Sequence, residues 1–246
     1  MMTTDPIQLE PLDGACFGAR CGFAGVAGAG AIVQAAEDNQ AALLDAFYGA
    51  GGFLLLEGMD GIAEDPGLLL RLSQLFGSEV ENYSETIRAR HSIHPEVPEI
   101  LLIAGKSAGM VKPPPLPDPP LTADGKLPVQ FPHRRGWHTD QSFRRPPPDI
   151  SLFLAVIPAP ADQGQTLFAD GTAAYEALPG DLKALADQLE GLHVMPGAGR
   201  AEYDVRAGRT PDPLQPHEAP QRQPVVRVHP VTGKRALYLC EAGQMD

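Results

Sequence analysis

The chain has 246 residues, 43% of them hydrophobic, which is enough to bury a sizeable core in one large or two small domains and excludes disorder throughout. A formal net charge of -12, from 31 acidic against 19 basic residues, excludes general nucleic-acid binding, which needs a basic field, and argues equally against docking on anionic membranes. The cysteines Cys16, Cys21 and Cys240 are too scattered for a disulfide framework, and no second Cys/His pair at zinc-ligand spacing follows the first two, so reduced thiols are expected.

The N-terminal "MMTTDPIQLEPLDG" has neither a positive n-region nor an apolar h-region, and no apolar run approaches the ~20 residues of a membrane helix. A cytoplasmic protein is expected. Residues 14–30 are small and glycine-rich. Within them "GAGAI" (28–32) resembles the start of a dinucleotide fingerprint but lacks its third glycine and a strong preceding strand, so flexible packing of small residues is expected there. "QAAEDNQAALLDAFYGAGG" sets Ala42, Leu43, Ala46 and Phe47 at helical spacing and stops in glycines. "FLLLEG" (53–58) reads as a short buried strand. "DPGLLLRLSQLFG" (65–77) reads as an amphipathic helix with Asp65 as N-cap, Pro66 in the first turn and Gly77 ending it.

"VPEILLIAG" (97–105) is strand-like. The proline-rich run at 112–132 is neither helix nor central strand, because proline fixes φ and lacks a donor; it reads as a long loop or lid inside a single domain spanning 1–246. "ISLFLAVIP" predicts a strand, "GQTLFAD" a strand edge and "TAAYEALPGDLKALADQLEGL" one or two helices. A polar, proline-rich stretch follows at 196–224. "PVVRVHPVTGKRALYL" predicts a hairpin around "PVTGK". The elements describe a mainly β core with flanking helices.

One short stretch carries chemistry: "GWHTDQSF", residues 136–143. In an extended strand residues i and i+2 share a face, so His138 and Asp140 can offer an imidazole nitrogen and a carboxylate oxygen to adjacent corners of one metal ion. That is two thirds of the 2-His-1-carboxylate facial triad of non-haem iron oxygenases. About one His-x-acid step is expected by chance in such a chain, and His94-Pro95-Glu96 is another, with a proline that makes it a poor ligand pair. Spacing alone therefore leaves both a metal pair and an inert surface pair open.

The surrounding motifs go further. "WHTDQSF", a proline-rich turn and then "SLFLAVIPAPADQGQTLFADGTAAYEALPGDLKALADQLEGL" resemble the TauD/TfdA family (taurine and 2,4-dichlorophenoxyacetate dioxygenases), whose members use Fe(II), 2-oxoglutarate and O2. The family's WH(T/S)D motif is matched in full. Its GG(D/N/H)T.F.D motif stands here as "QGQTLFAD", with Gln163 in place of the first glycine. "GAGGFLLLEGMD", "HPEVPEILLIAG" and "PVVRVHPVTGKRALYL" are also similar to family segments, so the likeness runs from about residue 40 to the end.

The resemblance implies a double-stranded β-helix (jelly roll, clavaminate synthase-like) and hydroxylation of a small organic substrate with release of succinate and CO2. It implies that His138 and Asp140 are iron ligands, that Thr166 contacts a 2-oxoglutarate carboxylate, and that Trp137 packs beside the metal. Gln141 and Phe143 match substrate-facing positions, and Asn82 and Tyr83 in "ENYSET" fall in a loop that lines the family's pocket. Arg134, Arg135, Arg144 and Arg145 crowd the iron motif; one or two of them attracting an anionic substrate, and solvated arginines balancing local acids, are both open readings.

The chain stops at "CEAGQMD", before the family's second histidine ligand and the arginine that pairs with 2-oxoglutarate. No third ligand is found: His229 sits at a hairpin mouth, His193 after a helix and His217 in a proline-rich loop. The expectation is a C-terminally incomplete copy of an enzyme. The alternative is a non-catalytic fragment or β-rich binding protein that kept the fold without a complete metal site. The expected partner is a small molecule, with no nucleic acid and no membrane; homo-oligomerisation is left open.

Overall fold

In the computed structural model, residues 7–87, 92–103, 137–158, 166–195 and 213–240 are described. The proline-rich run at 112–132, Arg134 and Arg135 lie outside them. The chain divides into two compact units. The first comprises Met1–Leu102, Ile150–Ala174 and Val228–Lys234; the second comprises Ile103–Asp149, Tyr175–Arg227 and Arg235–Asp246.

The first unit opens with β1 (Ile7–Pro11) antiparallel to β2 (Ala19–Phe23). Helices α1 (Ala29–Asp38) and α2 (Gln40–Gly49) follow, and the chain returns as β3 (Leu54–Leu56), parallel to β2. The glycine-rich stretch expected to be merely flexible thus holds a strand, a turn and the start of a helix. β2 alternates Ala19, Cys21 and Phe23 inward with Arg20 and Gly22 outward, the period of a half-buried strand. Gly18 is required where β2 begins: at φ 84° a Cβ would lie 2.8 Å from the Phe53 ring.

The single helix expected from "QAAEDNQAALLDAFYG" is interrupted at Asn39, whose φ of -124° breaks the turn between α1 and α2. α3 (Gly67–Gln74) follows directly on its N-cap, Pro66. Asp65 contributes its carbonyl to the Leu68 N–H rather than a side-chain cap. Ile32, Val33 and Ala36 of α1, Leu43 and Ala46 of α2, and Leu68 and Leu72 of α3 form the core with Cys21, Phe23 and Ile62. Outside that core, Arg71 of α3 grips Glu37 of α1 through Nε and Nη2 at 2.8 and 2.6 Å, and the hydrogen bonds from Arg71 hold the Glu37 carboxyl below its usual range. Gln40 Nε2 donates to the Leu75 carbonyl, tying the start of α2 to the end of α3.

α4 (Tyr83–Thr86) is one turn, capped by Asn82. The strand expected at 97–105 is reduced among the described residues to a single bridge, Ile93 to Leu101. Residues 151–155 alternate in exposure as the sequence predicts, with Leu152 and Leu154 packed on the core and Phe153 outward, but no ladder joins them among the described residues.

α5 (Gly171–Glu176) leads into the second unit, where α6 (Gly180–Ala186) precedes β4 (Glu190–His193). β4 pairs antiparallel with β5 (Gln221–Pro224), placing His193 opposite Gln221. β5 lies inside the stretch expected to be irregular. β6 (Val226–Val228) and β7 (Arg235–Leu237) pair as the expected hairpin. Arg235 Nη1 bonds the Tyr175 hydroxyl at 3.1 Å and Asp187 Oδ2 at 2.6 Å, joining β7 to the helical segment.

The described strands make three separate sheets, so the architecture here is helices with short strands. No described helix is long and apolar enough to cross a membrane. All three cysteines are free thiols.

Leu43 is wholly buried at the centre of the first unit. Leu43→Ala is expected to cost about 2–5 kcal/mol, measured as a lower urea midpoint at unchanged m; a loss under about 1 kcal/mol would contradict this core.

Candidate metal centre

His138 lies in irregular backbone and Asp140 opens a turn running to Phe143, so the extended strand expected for the motif is replaced by a bend. The two side chains still meet: His138 Nε2 is 3.0 Å from Asp140 Oδ1. The His138 side chain is 30% exposed and that of Asp140 67%. An exposed ion pair of this kind contributes only about 0–1 kcal/mol to stability. The same spacing suits a shared ion: two donors each about 2.1 Å from one metal and at right angles are about 3.0 Å apart. Among the described residues no third His, Cys, Asp or Glu joins them in a metal-binding cluster.

The turn beyond Asp140 is held tightly. Gln141 takes a left-handed backbone, φ 51°, which costs a non-glycine residue about 1–2 kcal/mol and persists only where neighbours fix it. Its carbonyl accepts the Arg144 N–H at 2.9 Å, and its Oε1 accepts Arg144 Nε at 3.3 Å. Arg144 is only 8% exposed. Its Nη1 donates to the His217 carbonyl at 3.5 Å, and its guanidinium carbon lies 5.3 Å from the centre of the Phe143 ring.

Beneath the turn lies a buried polar group of three side chains, all in the second unit. Ser142 Oγ is 2.8 Å from His193 Nδ1 and 3.3 Å from Cys240 Sγ. Cys240 Sγ is 3.8 Å from His193 Nδ1. The Thr139 N–H donates to Cys240 Sγ at 3.4 Å. From β5, Gln223 Nε2 donates to the Ser142 carbonyl at 3.0 Å. Sequence reasoning missed this group entirely.

Each expected site residue among the described residues has a definite environment. Gln141 and Phe143 belong to the same turn as the His138–Asp140 pair. Phe143 is 9% exposed and packs under the Arg144 guanidinium. Arg144 is buried and hydrogen-bonded, so it is not a free surface cation, whereas Arg145 is exposed. Trp137 is half-buried.

Thr166 is exposed in the first unit, where Asn82 Oδ1 also accepts the Ser84 N–H and Tyr83 donates its N–H to the Pro98 carbonyl. His229 spends its Nδ1 on the Val231 and Thr232 N–H groups and edges the Tyr48 ring at 5.6 Å, as a turn-capping residue does. His94 does likewise for Glu96 and Val97, so its ring and Glu96 serve a local turn.

Known proteins add the remaining context. The profile of the Taurine catabolism dioxygenase TauD, TfdA family matches residues 8–245, and the chain belongs to that family. It is similar to an alpha-ketoglutarate-dependent sulfate ester dioxygenase of Pseudomonas putida, 38% identical over 129 residues, covering 48% of this chain and 40% of the relative. A putative alpha-ketoglutarate-dependent sulfonate dioxygenase of Schizosaccharomyces pombe is 40% identical over 106 residues, covering 43% and 25%. The alpha-ketoglutarate-dependent 2,4-dichlorophenoxyacetate dioxygenase of Cupriavidus pinatubonensis is 33% identical over 103 residues, covering 42% and 34%. The matched region thus spans well under half of each of these relatives.

Burial drives the His193 imidazole below its ordinary value near 6.5. Below about pH 6.5 the unfolded chain binds a proton that the folded state resists, so this contribution to stability is complete above that pH and is lost as pH falls. Urea midpoints are expected to hold from pH 8 to 7 and to decline between pH 6.5 and 5.5. His193→Gln should flatten that decline; an equal slope in the variant would show that the imidazole does not couple to folding.

Proposed function

We propose that this protein is an Fe(II)- and 2-oxoglutarate-dependent dioxygenase that hydroxylates a small anionic substrate with O2, releasing succinate and CO2. The observation carrying this reading is the 3.0 Å separation of His138 Nε2 and Asp140 Oδ1 within a WHTD motif, in a chain of the TauD/TfdA family. His138 and Asp140 hold the metal. When bound, the metal supplies the oxidative chemistry on O2 and 2-oxoglutarate.

The chain's own residues do the rest. The turn from Asp140 to Arg144 fixes the two donors, and Phe143 with the buried part of Arg144 closes the inner side of that turn to water. Thr166 binds a 2-oxoglutarate carboxylate through its hydroxyl. Gln141, Asn82 and Tyr83, with Arg134, contact substrate. The fold of the whole is the double-stranded β-helix of the family, in a single domain, and the protein works in the cytoplasm.

Relatives that act on sulfate esters, sulfonates and 2,4-dichlorophenoxyacetate support an anionic substrate. So does Arg145, an exposed cation beside the motif.

The test is succinate release under Fe(II), 2-oxoglutarate and O2 with a panel of alkyl sulfates, sulfonates and aryloxyacetates. At least one anion is expected to stimulate turnover. His138→Ala and Asp140→Ala should each reduce it by more than about 100-fold, beyond the 10- to 100-fold typical of residues one shell further out. Undiminished turnover in either variant would remove the assigned ligands.

A further inference from the structure

Thr139 stands between the two proposed ligands, and both of its backbone polar atoms face one sulfur. Its N–H donates to Cys240 Sγ at 3.4 Å, and its carbonyl lies 3.7 Å from the same thiol as acceptor. That N–H belongs to the peptide joining His138 to Thr139, and that carbonyl to the peptide joining Thr139 to Asp140. One sulfur atom therefore bridges the two peptide planes whose relative rotation sets the directions of the His138 and Asp140 side chains.

We propose that Cys240 is a positioning residue for the iron motif, its buried thiol clamping the Thr139 peptides so that His138 and Asp140 converge on one ion. The inference rests on the metal assignment proposed above.

The sulfur is itself held. Ser142 Oγ, 3.3 Å away, and His193 Nδ1, 3.8 Å away, are both in reach of it, and Ser142 and His193 are bonded to each other at 2.8 Å. Ser142 and His193 are wholly buried, and Cys240 is 5% exposed.

One arrangement of protons uses every donor in this group. A neutral His193 protonated at Nδ1 donates to Ser142 Oγ. The Ser142 hydroxyl donates to Cys240 Sγ, and the Cys240 S–H donates to the Thr139 carbonyl, while the Thr139 N–H donates back to sulfur. The only atom left over is His193 Nε2, which is buried without a partner among the described residues. In this tautomer it bears a lone pair, a cheaper loss than an orphaned N–H.

The chain Nδ1–H to Oγ–H to Sγ–H to the carbonyl runs from β4 to the motif and gives the thiol a fixed orientation. A hydroxyl at residue 240 would keep the polarity of the thiol with shorter reach; a methyl pair would keep the volume and lose the bonds.

These differences set the experiment. Cys240→Val, Cys240→Ala and Cys240→Ser are compared with the unaltered protein by two readouts independent of turnover. The first is anaerobic Fe(II) titration followed through the fluorescence of Trp137, the sole tryptophan, adjacent to His138. The second is hydrogen exchange of the metal-free Thr139 amide against that of Gly191, which pairs with Gln223 in the β4–β5 ladder and reports general loosening.

The clamp predicts that Cys240→Val weakens Fe(II) binding by about 10- to 100-fold and speeds Thr139 exchange while Gly191 is unchanged, with Cys240→Ser intermediate. Cys240→Ala serves in the same comparison if the valine variant does not fold. Equal Fe(II) affinity and equal Thr139 exchange in the substituted and unaltered proteins would overturn the clamp and leave the metal assignment intact. Absence of Fe(II) binding in the unaltered protein would overturn the metal assignment and the clamp together.

Discussion

The constraint on which the site depends is the closeness of a histidine nitrogen and a carboxylate oxygen, 3.0 Å apart, on a backbone that is not part of a regular ladder. A strand or helix fixes side-chain directions through its own repeating hydrogen bonds. The bend at 137–144 has no such repeat, so each peptide must be held individually. Gln141 closes the turn onto Arg144, Gln223 ties the Ser142 carbonyl to β5, and Cys240 receives Thr139. The left-handed Gln141 is the local strain that these bonds sustain.

Magnitudes decide what such an arrangement is for. The His138–Asp140 pair is too exposed to contribute much to folding, whereas the polar group beneath it is buried, and burial of hydroxyl, thiol and imidazole costs free energy unless each is bonded. The buried group therefore stabilises the turn, and the turn presents the exposed pair. This division of labour, rigid support inside and donors outside, is what a metal site on an irregular segment needs.

The motif itself was legible in the sequence because its chemistry lies within three consecutive residues, and so was the hairpin around "PVTGK". Its support was not. Cys240 is 101 residues from Thr139 and His193 is 51 from Ser142, and neither carries a local pattern that announces the contact. Phe143 matches a substrate-facing position of the family, and Arg144 reads either as an anion-attracting or as a solvated arginine; the bend buries both side chains.

β2 was hidden by Gly22 and Arg20, although its inward residues Ala19, Cys21 and Phe23 keep strict alternation. β5 was hidden by its polar composition, "QRQP". At 151–155 the alternation was readable and the inward faces of Leu152 and Leu154 match it, while pairing depends on partners that local sequence does not specify.

The most direct measurement is an anaerobic Fe(II) titration of the unaltered protein and of Asp140→Asn, read by Trp137 fluorescence. Saturable quenching that is lost in Asp140→Asn, whose neutral amide keeps the shape but not the charge, is the predicted result. Quenching identical in the two proteins, or none in either, would contradict the claim that His138 and Asp140 together hold the metal.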